Sequence, residues 1–208
     1  MENKPVAVIL AGGKSSRLGG MDKGLLSVNE RTLVELCIAN VRSQVDYVAI
    51  SANRNLPFYR QFADIVVPDV SPQFPEYTGG PLAGILSVWL HLEQNHLVDT
   101  SDLLIIPCDM PLLPSDLVAR FSQARRQQNH LERVVVAHDG NRLQPLVMLL
   151  PKSTKNLLEE FLSSGQRKAM DWLRYCDALI ADFSDESENF ININTQADAT
   201  AVEEKTLR

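Results

Sequence analysis

Apolar positions along the chain follow two rhythms. Short unbroken apolar runs read as buried strands, and stretches with apolar residues every three or four positions read as amphipathic helices. "PVAVILA" (5–11), "DYVAISA" (46–52), "DIVVPD" (64–69) and "DLLIIPCDMP" (102–111) are of the first kind. Between the first two, "TLVELCIANVRSQV" (32–45) sets Leu33, Leu36, Cys37, Asn40 and Val41 at helical spacing, with Thr32 as N-cap. "GPLAGILSVWLHLEQN" (80–95) starts with Pro81 in a first-turn position, and "PSDLVARFSQARRQQ" (114–128) is a helix with Ser115 as its cap. This alternation predicts an α/β fold, a mostly parallel sheet covered by helices on both faces.

The rhythm then changes. In "RVVVAHDGNRLQPLVMLL" (133–150) two apolar runs flank Asp139-Gly140-Asn141, which predicts an antiparallel hairpin near the sheet's edge. Two polar-faced helices (152–163 and 167–176) and a strand (178–183) follow, and "TQADATAVEEKTLR" (195–208) reads as an exposed terminal helix. With no repeat, low-complexity tract or long linker, one domain spanning 1–208 is expected, and a monomer.

Composition narrows the classes. The chain is 45% hydrophobic and 22% charged, ordinary for a soluble domain, and its net charge of −6 argues against a nucleic-acid partner. Any anionic ligand must be held by local positive charge. Cys37, Cys108 and Cys176 are far apart and form no CxxC pair, which suits reduced thiols in a cytoplasm rather than zinc or disulfides. The first apolar run is too short for a signal peptide or a membrane span, so no membrane partner is expected.

Ligands of parallel sheets collect at the carboxyl ends of the strands. Gly12, Gly13, Ser51, Asn53, Asp69 and Asp109 all fall at such ends. The first is the most distinctive. "LAGGKSSRLGGMDKGLL" (10–26) fits neither a Walker loop, whose first glycine would stand at Val8, nor GxGxxG. It offers a Gly-Gly turn followed by Lys14, Arg17 and Lys23 against Asp22, which suits backbone and side-chain binding of phosphate, with a plain surface turn as the alternative.

That loop closely resembles the LAGGxSxRMGxDKxLL signature of the nucleotidyltransferases that build molybdenum cofactor, the guanylyltransferase (MobA) family above all, with Leu18 in place of the usual Met. The resemblance continues in family order through "VAISANR", "IVVPD", "GGPLAG", "IPCDMP", "VAHDGNRLQPLV", "GQRKAMDWL" and "FININT". It implies a Rossmann-like nucleotidyltransferase fold and transfer of GMP from GTP to molybdopterin, usually in its molybdenum form, with release of pyrophosphate. Donor proteins that carry molybdopterin, and chaperones of molybdoenzymes, are the implied partners.

By the same resemblance Leu10, Ala11, Gly12 and Gly13 would bring backbone to the nucleotide. Arg17 and Lys23 would act on its phosphates, where a loop-anchoring ion pair and a surface lysine are the alternatives. Asp109 would hold Mg²⁺, which takes one or two carboxylates plus substrate phosphates. Asp69 would bind the nucleotide, by guanine or in support, or is a turn residue. Where the family has a nucleotide-contacting Asn, this chain has Ser51, with Asn53 two residues later; the two remain alternatives. Gly80 and Pro81 would close the base pocket or simply start a helix.

For molybdopterin the resemblance implies Arg167 and Lys168 on a basic helix, and Asn192 and Asn194, which a strand over "ININ" would point to one face; an ordinary exposed helix face and a half-buried strand are the alternatives. His138 belongs to the hairpin or the lip of the site, and Gln144 stands where some relatives have His. Two rival readings remain: the cytidylyl branch, whose loop typically reads LAAG, and a GTP- or pterin-binding carrier without catalysis.

Overall fold

Alternate residues of the central strands feed two separate cores. In the first strand Ala7 and Ile9 face one core while Val6 and Val8 face the other. A strand buried on both faces reads as an unbroken apolar run for this reason. The computed structural model describes residues 4–11, 22–68, 79–97, 102–195 and 198–200.

The strands in chain order are β1 (Val6–Leu10), β2 (Ser27–Val28), β3 (Arg31–Thr32), β4 (Tyr47–Ser51) and β5 (Ile65–Val67). Then come β6 (Leu103–Pro107), β7 (Val135–His138), β8 (Leu143–Leu150) and β9 (Leu179–Asp182). Helices are α1 (Leu33–Val41), α2 (Leu56–Tyr59), α3 (Pro81–Gln94), α4 (Leu117–Gln127), α5 (Lys155–Ser163) and α6 (Ala169–Tyr175). Seven strands form one sheet in the order β5-β4-β1-β6-β8-β7-β9, and β2 and β3 form a separate small hairpin. Among the described residues β8 alone runs against its neighbours in the large sheet. The expected hairpin is β7–β8, one strand in from the edge that β9 forms.

One face of the sheet packs against α1 and α4 through Val34, Cys37, Leu117 and Phe121. The other packs against α3, α5 and α6 through Leu86, Trp89, Phe161 and Trp172. Thr32 caps α1 as expected: its hydroxyl accepts from the Glu35 N–H, while the Glu35 carboxylate accepts from the Thr32 N–H at 2.8 Å. Pro81 opens α3, where Gly80 is the N-cap at φ 80°, a conformation that favours glycine.

Three local expectations need correction. The strand expected over 102–111 ends at Pro107, where the chain turns. At α4 the N-cap is Asp116, not Ser115; the Val118 N–H instead donates to Gln44 Oε1 at 3.0 Å, so a side chain from another element satisfies the helix end. The segment "ININ" is not a strand. Of the expected terminal helix, 198–200 are helical with Ala199 buried, and 201–208 lie outside the described residues. Among the described residues no helix is long and apolar enough to cross a membrane.

Candidate active site

Three strand ends lie side by side at the carboxyl edge of the sheet. Leu10 pairs with Ser51 of β4 on one side and Pro107 of β6 on the other. The Ala11 N–H donates to the Ser51 carbonyl at 2.8 Å, and the Cys108 N–H to the Leu10 carbonyl at 3.2 Å. Leu10, Ala11, Ser51 and Asp109 are thus gathered at one edge by parallel pairing alone. Ser51 is buried and Asn53, on the loop beyond it, is exposed. Gly12, Gly13, Arg17 and Asp69 lie outside the described residues.

Lys23 enters this edge from a single 3-10 turn, Lys23–Leu25. Asp22 fixes that turn. Its carboxylate, buried at 5% exposure, accepts from the Gly24 N–H at 3.2 Å, the Asn55 amide at 3.0 Å and the Tyr59 hydroxyl at 2.6 Å. Burial and the Asp22 carboxylate push the Tyr59 hydroxyl well above its usual range, so it stays a donor. Gly24 is required by this contact: a Cβ there would stand 2.5 Å from the Tyr59 hydroxyl. In the sequence Asp22 reads only as a negative charge set against Lys14, Arg17 and Lys23. The signal for its role was its place between the loop and the turn, where a short acceptor caps.

Held this way, the Lys23 ammonium donates to Asp109 Oδ2 at 3.0 Å and to Asn194 Oδ1 at 2.5 Å. The segment bearing Asn194 is anchored twice. The Ile193 N–H donates to the Asp109 carbonyl at 2.8 Å, and the Ile193 side chain is buried with Leu26, Val28, Leu33 and Ala199. Asn194, expected on a strand facing molybdopterin, therefore stands with Lys23 and Asp109. Cys108, beside Asp109, is buried, and burial pushes its thiol up, so it presents no thiolate to the site.

A cavity of about 550 Å³ opens next to Asp109, between β6 and β8. Pro107, Met110, Leu143 and Met170 supply apolar wall, while Asp109, Asn192, Gln144 and Arg142 supply the polar groups. Asn192 is thus separated from Asn194: one lines the cavity and the other binds Lys23. Arg167 and Lys168 do not line it. The Arg167 guanidinium donates at 2.6 Å to the Leu162 carbonyl at the end of α5, and Lys168 is the N-cap of α6. From that basic segment Met170 is the residue that reaches the cavity.

The β7–β8 turn is ordered by Asp139. One carboxylate oxygen accepts from the N–H groups of Asn141 and Arg142, both at 2.8 Å, and the other accepts from the Gln144 amide at 2.5 Å. Burial opposes charge on Asp139, but these donors outweigh it and hold the carboxyl below its ordinary value. His138 Nδ1 accepts from the Gly140 N–H at 3.1 Å, a role within the hairpin.

The family model described as a MobA-like NTP transferase domain matches residues 7–181. The chain belongs to that family. A protein from Shewanella sp. (strain MR-4) is 40% identical over 191 residues, which cover 91% of this chain and 90% of the relative. Another, from Shewanella piezotolerans (strain WP3 / JCM 13877), is 36% identical over 208 residues, covering 97% and 96%. Both carry the name molybdenum cofactor guanylyltransferase. The crystal structure of molybdopterin-guanine dinucleotide biosynthesis protein A from Archaeoglobus fulgidus shares the fold, with a TM-score of 0.72 at 18% identity, covering 97% of this chain and 98% of that one. The MobA-like chain is a nucleotidyltransferase with the Rossmann-like fold of that group.

The donor set of this MobA-like domain limits how a divalent cation can be held. No group of three or more His, Cys, Asp or Glu side chains suited to a metal occurs among the described residues. A fully protein-built cage is therefore absent from them. Asp109, a part-buried carboxylate at a strand end beside a lysine, fits the other mode, in which Mg²⁺ takes one carboxylate and completes its shell with substrate phosphates and water.

Proposed function

We propose that this chain transfers GMP from GTP to molybdopterin, yielding the molybdenum guanine dinucleotide cofactor and pyrophosphate. The observation that carries this reading is the convergence of Lys23, Asp109 and Asn194 between the β1 and β4 strand ends and the β6–β8 cavity. It is supported by relatives, matched over nine-tenths or more of both chains, that are named molybdenum cofactor guanylyltransferase.

Two substrates then flank one charged centre. GTP lies across the ends of β1, β4 and β5, against Leu10, Ala11, Gly12, Gly13, Asn53, Asp69 and Gly80. The pterin lies in the β6–β8 cavity. Its terminal phosphate oxygen attacks the α-phosphorus of GTP in line; that P–O bond forms as the bond from the α-phosphorus to the β-phosphate oxygen breaks, and pyrophosphate leaves with the electron pair. The nucleophile is already ionised at neutral pH, so no general base is needed, and none of the four histidines is assigned one. The task is electrostatic: two anions must meet, and charge builds on the transferring group and the leaving group.

Lys23 meets that task with a point charge held by Asp109 and Asn194 until phosphate arrives. Arg17 adds a forked donor set on the phosphates. Asp109 would hold Mg²⁺, which when bound neutralises charge on the phosphates. Of the alternatives at the β4 end, Asn53 is favoured over Ser51 as the nucleotide contact, because it is exposed there while Ser51 is buried. The working compartment is the cytoplasm.

The test is pyrophosphate release from GTP, and separately from CTP, with magnesium and a molybdopterin-loaded donor protein. Pterin-dependent release with GTP alone is the expected result. Release with CTP would move the chain to the cytidylyl reaction, and release with neither, on a donor proven active, would leave a binding protein.

A further inference from the structure

The cavity between β6 and β8 contains one buried polar side chain whose orientation is fixed by chemistry. Gln144 is 3% exposed and lines the cavity, and its amide nitrogen donates to Asp139 Oδ2. An amide can be turned either way, and which end faces a neighbour follows from what that neighbour can do. Asp139 takes two backbone N–H groups on its other oxygen, so it is an ionised carboxylate that can only accept. The Gln144 NH₂ must face it, and the carbonyl Oε1 must face away. Among the described residues no hydrogen bond to that Oε1 is formed. That oxygen is not among the buried unpaired atoms of the described residues, so it stands accessible at the cavity, where a ligand can use it as an acceptor.

The ligand's chemistry follows. Pro107, Met110, Leu143 and Met170 make surfaces for a flat, weakly polar ring, and the acceptor requires an N–H on that ring's edge. A pterin, a bicyclic 2-amino-4-oxo heterocycle, has both. Guanine displays the same edge, so position decides between them. The strand ends that gather the nucleotide candidates are β1, β4 and β5, and the cavity lies on the other side of β6, beyond Asp109. We propose that Gln144 is the specificity residue for the acceptor, taking a hydrogen bond from the pterin's N–H edge, and that Asp139 is the positioning residue that turns its amide. This rests on the guanylyl-transfer reading, in which the acceptor is a pterin.

Gln144→Met keeps length and volume but removes the acceptor, together with the amide donor to Asp139. Asp139→Asn lets the Gln144 amide turn over. Steady-state kinetics with molybdopterin-loaded donor protein should show KM for the acceptor raised about tenfold in both variants, with KM for GTP unchanged. A rise in KM for GTP instead would make the cavity the guanine site and overturn the proposal. Unchanged acceptor KM in variants that melt cooperatively would overturn it too, while guanylyl transfer by the wild type left the function standing. Binding of free pterin, followed by its own fluorescence, provides a readout without turnover. Tighter binding by the wild type than by Gln144→Met is expected even if no transfer is detected, and equal binding would refute the role of Gln144. Should Gln144→Met fail to fold, Asp139→Asn in the same titration decides.

Discussion

Lys23 and Asp109 are 86 positions apart in the chain and 3.0 Å apart in space. Neither reaches the other by accident of one loop. Asp109 arrives because β6 lies beside β1 in parallel, and Lys23 because Asp22 is pinned to Tyr59 and Asn55. An ion pair between half-buried groups at a strand end contributes little to stability. Its use is to hold a cation and a carboxylate at the place where a triphosphate and a second phosphate must meet.

Lys23→Ala should therefore act on chemistry more than on binding. A point charge that strengthens its contact as charge develops lowers the barrier without tightening the ground state by the same amount. The expected loss is about 10²–10³-fold in kcat, as for removal of one donor to a developing oxyanion, with a much smaller change in the Kd for GTP. Pyrophosphate release and equilibrium GTP binding, measured side by side, check the split. Equal losses in both would assign Lys23 to ground-state binding.

Asp109→Ala should abolish magnesium-dependent turnover and leave the fold. The side chain is lost, but the backbone carbonyl that accepts the Ile193 N–H is retained, so the 193–194 segment keeps its anchor. The check is a magnesium titration of turnover together with thermal melting. Full activity at ordinary magnesium would remove Asp109 from the metal site, and a collapsed Tm would make it structural.

The turn beneath Lys23 predicts a non-additive pair. Tyr59→Phe removes a buried hydroxyl bonded to a carboxylate and should cost about 1.5–3 kcal/mol. Gly24→Ala places a Cβ against that same hydroxyl, 2.5 Å away, and should also destabilise by forcing it off Asp22. In the Tyr59→Phe background the nearest remaining ring atom is 3.2 Å away, so the added methyl should cost less there. Denaturant melts of the four proteins measure the coupling. Strict additivity would mean that the Gly24 backbone gives way instead of the ring.

The sheet was legible in the sequence because its strands are buried on both faces, and such strands cannot hide their apolar runs. Capping chemistry was legible at Thr32, where the capping box is local, and not at α4, where Gln44 reaches in from another element. The site divided the same way. Leu10, Asp109 and Lys23 could be placed from strand ends and a loop pattern. Asn192 and Asn194 could not, because period-two reasoning assumed a strand where the chain follows the Asp109 carbonyl and a small apolar cluster. That difference sends one amide to the cavity and the other to Lys23. The contact of Tyr59 with Asp22 spans 37 positions and leaves no periodic trace.

Asp139 predicts a pH dependence with a definite sign. Its carboxyl is held below the ordinary value in the folded chain, burial opposing the charge and the Arg142 and Asn141 N–H groups and the Gln144 amide favouring it more strongly. The folded state therefore binds this proton less readily than the unfolded chain, whose Asp titrates at about 3.9. The stabilisation is complete above that value and is lost as pH falls through the lower, folded-state pKa. Asp64, Asp182, Asp185 and Asp198 are shifted the same way, so acid unfolding alone does not isolate Asp139. Comparison with Asp139→Asn does: those four are common to both proteins. The variant should be less stable at neutral pH, and the gap should narrow as pH drops below about 4. A gap that stayed constant with pH would mean that the Asp139 carboxyl titrates alike in both states, and its hydrogen bonds would then matter only for the shape of the turn.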